Sequence, residues 1–459
     1  MANMTNEIKR YVTYFAKSNL RVFILEMIIM FILIPFVVYN EANSLSDLSH
    51  GREYFTTIAF MSIFIMFVLS IGTPLYIFRY LHRKQSCDLY FSLPIKRSHQ
   101  FIVHYILGAL LALIPLYING FVATFIVCIG NPNLIISALG FFGTLTISFL
   151  VLYSFFTFLV LKCNNLLDSI IISGAYVVLP IIMIMSLGIY LSSRFLQVFV
   201  SYIYIANELV FVQKIFTFIS YPFVTLYYFI DGNNYLLYIT TIEIIMYSIL
   251  WLLVGVFVFY IARKAYIARR EEDAEQRSTA LCTYPFVIMA STISFVLLVF
   301  ALDVSKVAPT IIIFILYIIM IFFANRKIKL RLKDILFFFF IYVFVFGFSF
   351  AFQQTKAFGL VKEVPSLGNV ISANVEIMEY SLESDGRNYE FNVSSRKDLS
   401  AFLDLHEKLM KDSTERMGID QLEIYIEYDL KDGRDIRRNY SLDKTELENL
   451  LNTIEEIKK

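Results

Sequence analysis

Residues 79–127 read RYLHRKQSCDLYFSLPIKRSHQFIVHYILGALLALIPLYINGFVATFIV. From residue 101 onward this stretch is almost entirely apolar, and His104 is its only ionisable side chain apart from two tyrosines. A helix needs roughly 20 mostly apolar residues to cross a bilayer, so residues 101–127 predict a transmembrane helix. The part before it, residues 79–100, carries five Lys or Arg and is typical of a loop outside the membrane.

Eight further runs have a similar composition, and together the nine lie at residues 21–39, 54–78, 101–127, 134–161, 166–192, 235–262, 284–302, 309–325 and 335–352. None of them alternates apolar and polar residues as the strands of a membrane β-barrel do. The 459-residue chain is 17% charged, against about 25% in a soluble domain, which excludes a plain cytosolic enzyme. We therefore expect an all-α polytopic membrane bundle of nine transmembrane helices.

Basic residues are distributed unevenly between the two sides of this bundle. With the N-terminus in the cytoplasm, the inside segments hold 20 Lys or Arg and the outside loops hold four. Cytoplasmic loops carry such an excess, so we expect a multi-pass protein of the cell membrane with a cytoplasmic N-terminus. Residues 1–352 carry 24 basic and 16 acidic side chains, whereas residues 353–459 carry 15 and 22. Nine crossings place this acidic C-terminal domain outside the cell.

The sequence before residue 353 divides into four segments. Residues 1–20 mix aromatic and basic side chains and predict a helix lying in the cytoplasmic interface. Residues 21–262 form six spans, and within them residues 193–234 are apolar but interrupted by charges. A charge at the membrane centre costs about 2.5–3.5 kcal/mol, which favours a re-entrant or interfacial segment over a tenth crossing. A cytoplasmic linker at 263–283 then leads to three additional spans at 284–352.

Residues 353–459 predict an α+β domain with duplicated strand–strand–helix units. Each unit has two alternating segments around an Asp-Gly turn, at 385–386 and 432–433. Each hairpin is followed by a capping sequence that opens a helix, at 395–398 and 443–446. The economical arrangement is one four-stranded sheet covered by two helices.

Motifs of catalysis and of nucleotide binding are missing. The phosphate loop G-x-x-x-x-G-K-[ST], the G-x-G-x-x-G fingerprint, H-E-x-x-H and G-x-S-x-G do not occur. The four cysteines have no metal-binding spacing and the five histidines are scattered, with His406 expected at the edge of the C-terminal core. We therefore predict no catalytic residue, no cofactor in this chain and no metal site. Any ATP hydrolysis must therefore be carried out by another chain.

The loop at 79–100 is the most informative segment for function. Its core consists of Asp88, Leu89, Tyr90, Phe91, Leu93 and Pro94. Leu89, Tyr90 and Leu93 share one face of a short helix, and Pro94 ends it. Such a face fits a groove on a partner protein, although from the residues alone it fits lipid headgroups equally well.

The stretch SCDLYFSLPIKRSHQFIVHYILG at residues 86–108 resembles the coupling-helix region of type-2 ABC transporter permeases, in particular the large permeases of low-GC Gram-positive bacteria. Also similar are a basic tail after the sixth span, three further spans, and a C-terminal domain containing DLKDGRDIRRNYSL. The resemblance implies six core helices, an interfacial N-terminal helix and a broken connection between spans five and six. It also implies an ABC ATP-binding subunit that uses ATP and magnesium, and a second permease chain in a homodimer or heterodimer.

Two carboxylates lie inside predicted spans, Glu26 in the first and Glu243 in the sixth. Charged groups in hydrocarbon usually face a bundle interior or a wet cavity, so both are candidates for a transport pathway. The alternative is that each lies near enough to an interface to be solvated, or is protonated.

Together these features predict the membrane subunit of an exporter that moves a hydrophobic or amphipathic substrate, with membrane lipids and the ATPase as partners and no nucleic acid. The alternative is a membrane sensor or immunity protein, whose outer domain binds a ligand without transport. An intramembrane enzyme is a third and weaker candidate, because no acid/base or metal cluster is present.

Overall fold

The computed structural model describes residues 2–45, 51–194, 220–231, 241–301, 306–355, 364–379, 388–412, 422–431 and 435–442. The chain divides into two compact units, one of Met1–Val178 with Thr217–Val287 and one of Leu179–Phe216 with Ile288–Lys459. In the described residues, nine helices are long and apolar enough to cross a membrane. This confirms a mostly helical chain with the expected number of candidate membrane spans.

The first unit is helical. Its elements are α1 (Ala2–Phe31), α2 (Val37–Leu45), α3 (Gly51–Ile77), α4 (Lys84–Phe91), α5 (Arg97–Cys128), α6 (Leu134–Lys162), the first part of α7 (Leu166–Arg194), α8 (Tyr221–Asp231) and α9 (Thr241–Ala268). Helices α3, α5 and α6 enclose a core of aromatic and aliphatic side chains, in which Phe55 and Phe141 meet edge to face at 6.0 Å. This core fixes the positions of the spans.

Helix α1 is longer than the sequence predicts. The separate interfacial helix expected at residues 1–20 is continuous with the first span, and α1 runs without a break to Phe31. No Gly or Pro lies between Ala2 and Phe31, so nothing in the sequence ends the helix at residue 20. The first interruption is a π-helical turn at Ile32–Phe36, where Pro35 removes a backbone donor.

The connection between the fifth and sixth spans is described only in part, since residues 195–219 and 232–240 lie outside the described residues. Between them, α8 has 11 residues, too few to span a bilayer. Its Tyr221 stacks on Trp251 of α9 at 5.3 Å, and Phe223 stacks on Phe67 of α3 at 6.0 Å. This short helix therefore packs against the spans of its own unit.

The helices of the second unit are α10 (Tyr284–Ala301), which begins in the first unit, α11 (Val307–Asn325) and α12 (Leu332–Gln354). Tyr317 of α11 donates to the carbonyl of Asp334 at 2.7 Å, and Tyr190 at the end of α7 donates to Ser349 Oγ at 2.8 Å. These bonds satisfy tyrosine hydroxyls inside an otherwise apolar set of helices.

The second unit also contains a four-stranded antiparallel sheet in the order β2-β1-β3-β4, with β1 at Val370–Glu379, β2 at Asn388–Val393, β3 at Leu422–Leu430 and β4 at Asp435–Leu442. The two hairpins join through β1 and β3, where Val375 pairs with Ile426. Helix α13 (Arg396–Asp412) begins one residue after the predicted cap at Ser395 and contributes Leu399 and Phe402 to the core. The second predicted helix, from residue 443, lies outside the described residues.

His406 of α13 is fully buried in this core, as a core histidine. Its Nε2 lies 2.6 Å from the hydroxyl of Tyr440, and its Nδ1 lies 2.8 Å from the hydroxyl of Tyr428. Both ring nitrogens therefore have partners on the sheet. Burial, with a smaller contribution from the positive charge of Arg438, lowers the pKa of His406 to about 3.

Candidate functional site

Helix α4 forms the centre of the 79–100 loop, which confirms the short helix expected there. It follows the extended residue Arg83, and after its last residue the N–H of Ser92 donates to the carbonyl of Asp88 at 3.0 Å. Pro94 comes two residues later and has no N–H to continue the helix. The chain then enters α5 at Arg97.

The predicted apolar face of α4 is divided between solvent and the protein. Leu89 is 65% exposed, whereas Tyr90 and Leu93 are half-buried. Of the other predicted residues, Asp88 and Pro94 are exposed and Phe91 is half-buried. The expectation that Leu89, Tyr90 and Leu93 share one exposed face is therefore corrected. Of these three, only Leu89 is exposed, and Tyr90 stacks on an aromatic partner in its own chain.

That partner is Tyr80, in a 3₁₀ turn at Arg79–His82. The rings of Tyr80 and Tyr90 stack with centroids 4.1 Å apart, and the side chain of Gln100 donates to the carbonyl of Tyr90 at 3.1 Å. An aromatic pair of this kind contributes about 0.5–1.5 kcal/mol beyond the area that it buries. Helix α4 is thus attached both to the turn before it and to the start of α5.

Below this stack lies a hydrogen-bonded group that we call the His104 hub, consisting of Tyr11, Tyr80, His104 and Tyr266. The hydroxyl of Tyr11 lies 2.7 Å from His104 Nε2, and the hydroxyl of Tyr80 lies 2.9 Å from His104 Nδ1. Tyr80 and Tyr266 share a hydrogen bond of 2.7 Å between their hydroxyls. All four side chains are buried.

The hub connects four elements that are far apart in the chain. Tyr11 belongs to α1, Tyr80 to the 3₁₀ turn, His104 to α5 and Tyr266 to α9. An imidazole that donates through one nitrogen and accepts through the other satisfies a tyrosine on each side. Because buried polar groups are costly to leave without partners, displacing Tyr80 disturbs the contacts of three spans at once.

Phe91, the last residue of α4, provides another attachment. The guanidinium of Arg97 lies over its ring at 4.1 Å, and the ring of Tyr266 lies 6.0 Å away. Arg97 also donates to the carbonyl of Arg269 at 2.9 Å and forms an ion pair of 3.6 Å with Glu271. The 79–100 loop is therefore joined to the segment that follows α9.

Arg269, directly after α9, is 95% buried and binds three backbone carbonyls. Its guanidinium donates to Leu161 at 2.5 Å, to Cys163 at 3.0 Å and to Leu81 at 3.0 Å. The first two carbonyls lie at the end of α6, where a helix leaves its last carbonyls unpaired. One side chain therefore closes the end of α6 and holds the turn that carries Tyr80. Burial lowers the pKa of Arg269 from its very high ordinary value.

A second set of bonds ties the same loops together. Glu275 has a positive φ of 66° and donates its N–H to the carbonyl of Asn164 at 2.9 Å. Its carboxylate accepts from the N–H of Lys84 at 3.4 Å, at the start of α4. Asn164 in turn donates its own N–H to Ser278 Oγ at 2.8 Å. We call residues 79–100, 163–165 and 269–278 the loop cluster.

His82 and Asp168 lie beside the loop cluster and are buried. Burial, together with the positive charge of Arg269, lowers the pKa of His82 to about 3, so this imidazole stays neutral. Asp168, at the start of α7, accepts a hydrogen bond from the hydroxyl of Tyr284 at 2.9 Å. Both groups therefore have hydrogen-bond partners inside the protein, Ser169 for His82 and Tyr284 for Asp168.

The loop cluster agrees with the order of the spans. Its three segments follow the second, fourth and sixth candidate spans found in the described residues. The contacts of Arg269 and Glu275 bring them together at one end of the first unit.

The two carboxylates predicted for a transport pathway lie in different helices. Glu26 is in α1, and its Oε2 is buried with no hydrogen-bond partner among the described residues. Near it, Asn119 of α5 donates to the carbonyl of Met27 at 3.3 Å. Glu243 is half-buried in the first turn of α9.

The sequence did not reveal the importance of His104, Tyr266 and Arg269. Their partners lie 24 to 188 positions away, so no local spacing links them. One signal was present, because an ionisable residue inside a span usually faces the interior of the bundle, as His104 does.

In the described part of the chain, no group of three or more His, Cys, Asp or Glu side chains is placed to hold a metal ion. The contacts described at this site are hydrogen bonds, aromatic and cation–π contacts and an ion pair, beside the exposed side chain of Leu89. Searches among protein families, curated proteins and solved structures found no family model, no curated protein and no solved structure that matches this chain.

Proposed function

We propose that this chain is the membrane-spanning permease subunit of an ATP-binding cassette exporter. A separate subunit binds ATP and magnesium and hydrolyses the nucleotide, and the permease itself is not an enzyme. The substrate is hydrophobic or amphipathic, such as a peptide, a lipid-like molecule or a drug.

The observation that carries this proposal is the way in which α4 is attached. A loop that transmits force from a partner needs a surface for the partner and firm contacts with the spans. Leu89 is 65% exposed on the outer side of α4, while Tyr90 stacks on Tyr80 of the hub. Burying an exposed leucine in a partner's groove contributes about 1.5–3 kcal/mol.

In this proposal the ATPase moves α4 when its subunits close on ATP. The displacement passes through the Tyr80–Tyr90 stack to His104 and Tyr266, and so to α1, α5 and α9 together. Because the side chains of a packed core interdigitate, the helices shift as bodies and change the side on which the substrate cavity is open. Glu26 and Glu243 are proposed to lie along the substrate path.

The proposal includes an orientation and an assembly. The N-terminus and the loop cluster are cytoplasmic, and residues 353–459 form an extracytoplasmic domain built from two strand–strand–helix units. The excess of Lys and Arg in the loops on one side supports this orientation. A second permease chain, identical or related, completes the transporter.

Photocrosslinking from α4 tests the proposal directly. Replacing Leu89 by p-benzoylphenylalanine and irradiating native membranes should link the chain to an ATP-binding subunit of roughly 25–35 kDa, the size that the family resemblance implies. The matched control has the same probe at Ile328, an apolar residue that is 91% exposed in another loop predicted to be cytoplasmic.

An ATPase adduct from position 89, much stronger than the one from position 328, supports the proposal. No ATPase adduct at position 89, in a chain that is correctly inserted, contradicts it. That result would favour a sensor or immunity protein that works without an ATPase.

A further inference from the structure

Helix α1 presents a basic face on the side away from the bundle. Tyr11 and Phe15 are buried against His104, and the ring of Phe15 lies 4.7 Å from the imidazole. These contacts fix the rotation of α1 about its axis. As a result, the exposed side chains on its other side line one shallow depression, which consists of Lys9, Arg10, Thr13, Tyr14 and Lys17.

The stretch of α1 that forms this face carries basic charge alone. From Lys9 to Arg21 the sequence contains four cations and no carboxylate. Within the described residues, Lys9, Arg10 and Lys17 form no ion pair. The hydroxyl of Thr13 donates to the carbonyl of Lys9 at 2.9 Å, which leaves the cations and the Tyr14 hydroxyl as the free donors.

The length of the helix places this face at the membrane surface. The first candidate span, Lys9–Glu41, has 33 residues and so is about 50 Å long at 1.5 Å per residue, against roughly 30 Å for the hydrocarbon core. Exposed apolar side chains begin at Leu20 and continue through Ile24 and Leu25. The turns before Leu20 therefore lie at headgroup depth, where amphipathic tyrosine rings are enriched.

We propose that the depression formed by Lys9, Arg10, Tyr14 and Lys17 binds the phosphate of an anionic phospholipid headgroup. Lys and Arg form short, charge-assisted hydrogen bonds with phosphate oxygens, and Tyr14 adds a neutral donor. The continuity of this face with the apolar side of α1 favours a lipid over a free anion, since the acyl chains then lie along Leu20, Ile24 and Leu25.

The position of the depression gives the lipid a route to α4. Tyr14 lies close enough to Tyr90 to contribute, after burial, to raising the pKa of that phenol. Tyr11, on the opposite side of the same turns, holds the hub. A bound anionic lipid therefore stabilises the turns of α1 that hold Tyr11 against His104, the residue to which Tyr80 is also hydrogen-bonded. This inference requires membrane insertion but does not depend on the proposed transport function.

The test is native mass spectrometry of the purified full chain in micelles that contain equal amounts of phosphatidylglycerol and phosphatidylcholine. The site variant carries Lys9→Gln, Arg10→Gln and Lys17→Gln. The matched control carries Lys327→Gln, Lys329→Gln and Lys333→Gln, three exposed cations in the loop before α12 and its first turn, and loses the same charge. Each Lys or Arg near an anionic membrane contributes roughly fivefold in affinity, so the site variant should lose at least about tenfold of its preference for phosphatidylglycerol.

Retention of the preference in the control and its loss in the site variant support the proposal. An equal loss in both variants would show a general charge effect, and an unchanged site variant would show that the depression binds no lipid. Displacement of phosphatidylglycerol by excess inorganic phosphate would identify a site for the free anion. Each of these last three results overturns the proposal.

Discussion

At the scale of single residues, His104 determines how the loop helix is held. It is fully buried in α5 and is the only residue in contact with both Tyr11 and Tyr80 through hydrogen bonds in the described structure. Its role is positional, since it reaches α4 through Tyr80 and the stacked ring of Tyr90.

We expect His104→Phe to leave the hydroxyls of Tyr11 and Tyr80 without their imidazole partner. A buried donor or acceptor without a partner costs about 1–3 kcal/mol. Amide hydrogen exchange of residues 84–91 should therefore become faster. Tyr105→Phe is the matched control, since it removes one buried hydrogen bond, to Ser154 at 2.6 Å, from the neighbouring position of α5. Equal exchange rates over residues 84–91 in His104→Phe and in the control would argue against the hub.

His406 predicts a pH dependence of the C-terminal sheet. Its folded pKa is about 3, and its unfolded value is close to 6.5, so protons bind the unfolded state first as the pH falls. Stability is complete above about pH 6.5 and decreases towards pH 3, by about 1.4 kcal/mol per pH unit. Between pH 7 and pH 5 the loss should be about 2 kcal/mol.

The measurement is hydrogen exchange of residues 422–430 in the full chain, corrected for intrinsic rates at each pH. The same residues in His406→Phe should show a smaller dependence on pH, because the imidazole has been removed. A wild-type sheet whose opening free energy is the same at pH 7 and pH 5 would contradict this assignment.

At the scale of elements, Arg269 joins three segments of the loop cluster with one guanidinium. Arg269→Gln should lower the free energy of unfolding by about 2–4 kcal/mol, because hydrogen bonds to charged groups contribute about 1.5–3 kcal/mol each and are not additive. Arg269→Lys should not restore stability, since an ammonium group lacks the planar fork that reaches several carbonyls.

The control for this experiment is Arg263→Gln, which in the described structure loses two hydrogen bonds to Ser98 Oγ, from Nε at 3.2 Å and from Nη2 at 2.6 Å. Thermal unfolding in detergent compares the three variants with the parent chain. An Arg269→Lys variant as stable as the parent would show that charge alone is sufficient at this position.

The elements differ in how well the sequence predicted them. The short helix at residues 84–91 and the hairpins of the C-terminal sheet follow from local spacing, apolar alternation and Pro94, all of which act within a few residues. Local spacing did not predict which side chains of α4 are exposed, because Tyr90 packs inward against Tyr80 of the His104 hub. Tertiary packing decided that orientation, and helical spacing alone carries no information about it.

At the scale of the whole molecule, the spans were predictable because the bilayer sets a minimum length that apolar runs must meet. Nine runs in the sequence correspond to nine candidate spans among the described residues. The sequence predicted a helix over residues 1–20 but not its continuity with the first span, which only the absence of Gly and Pro indicates. Hydropathy locates the spans, whereas the ends of a helix depend on residues such as Gly and Pro that interrupt helical structure.

The proposed orientation predicts opposite labelling of two exposed serines. In a chain without its native cysteines, Ser366→Cys should react with an impermeant maleimide in intact cells, because the proposal places the C-terminal domain outside the cell. Ser92→Cys, at the end of α4, should react only after the membrane is permeabilised. The reverse pattern would invert the orientation, and labelling of both residues in intact cells would place them on the same outer side.

The central claim is that this chain is moved by an ATPase that it does not itself contain. ATP hydrolysis by the affinity-purified protein tests that claim, measured after isolation from native membranes and after expression in a host without the partner. We predict hydrolysis in the native preparation, with an ATP-binding subunit present in stoichiometric amount, and none above background in the chain made alone. Native preparations without ATPase activity or a bound ATPase, or hydrolysis by the isolated chain, would contradict the account.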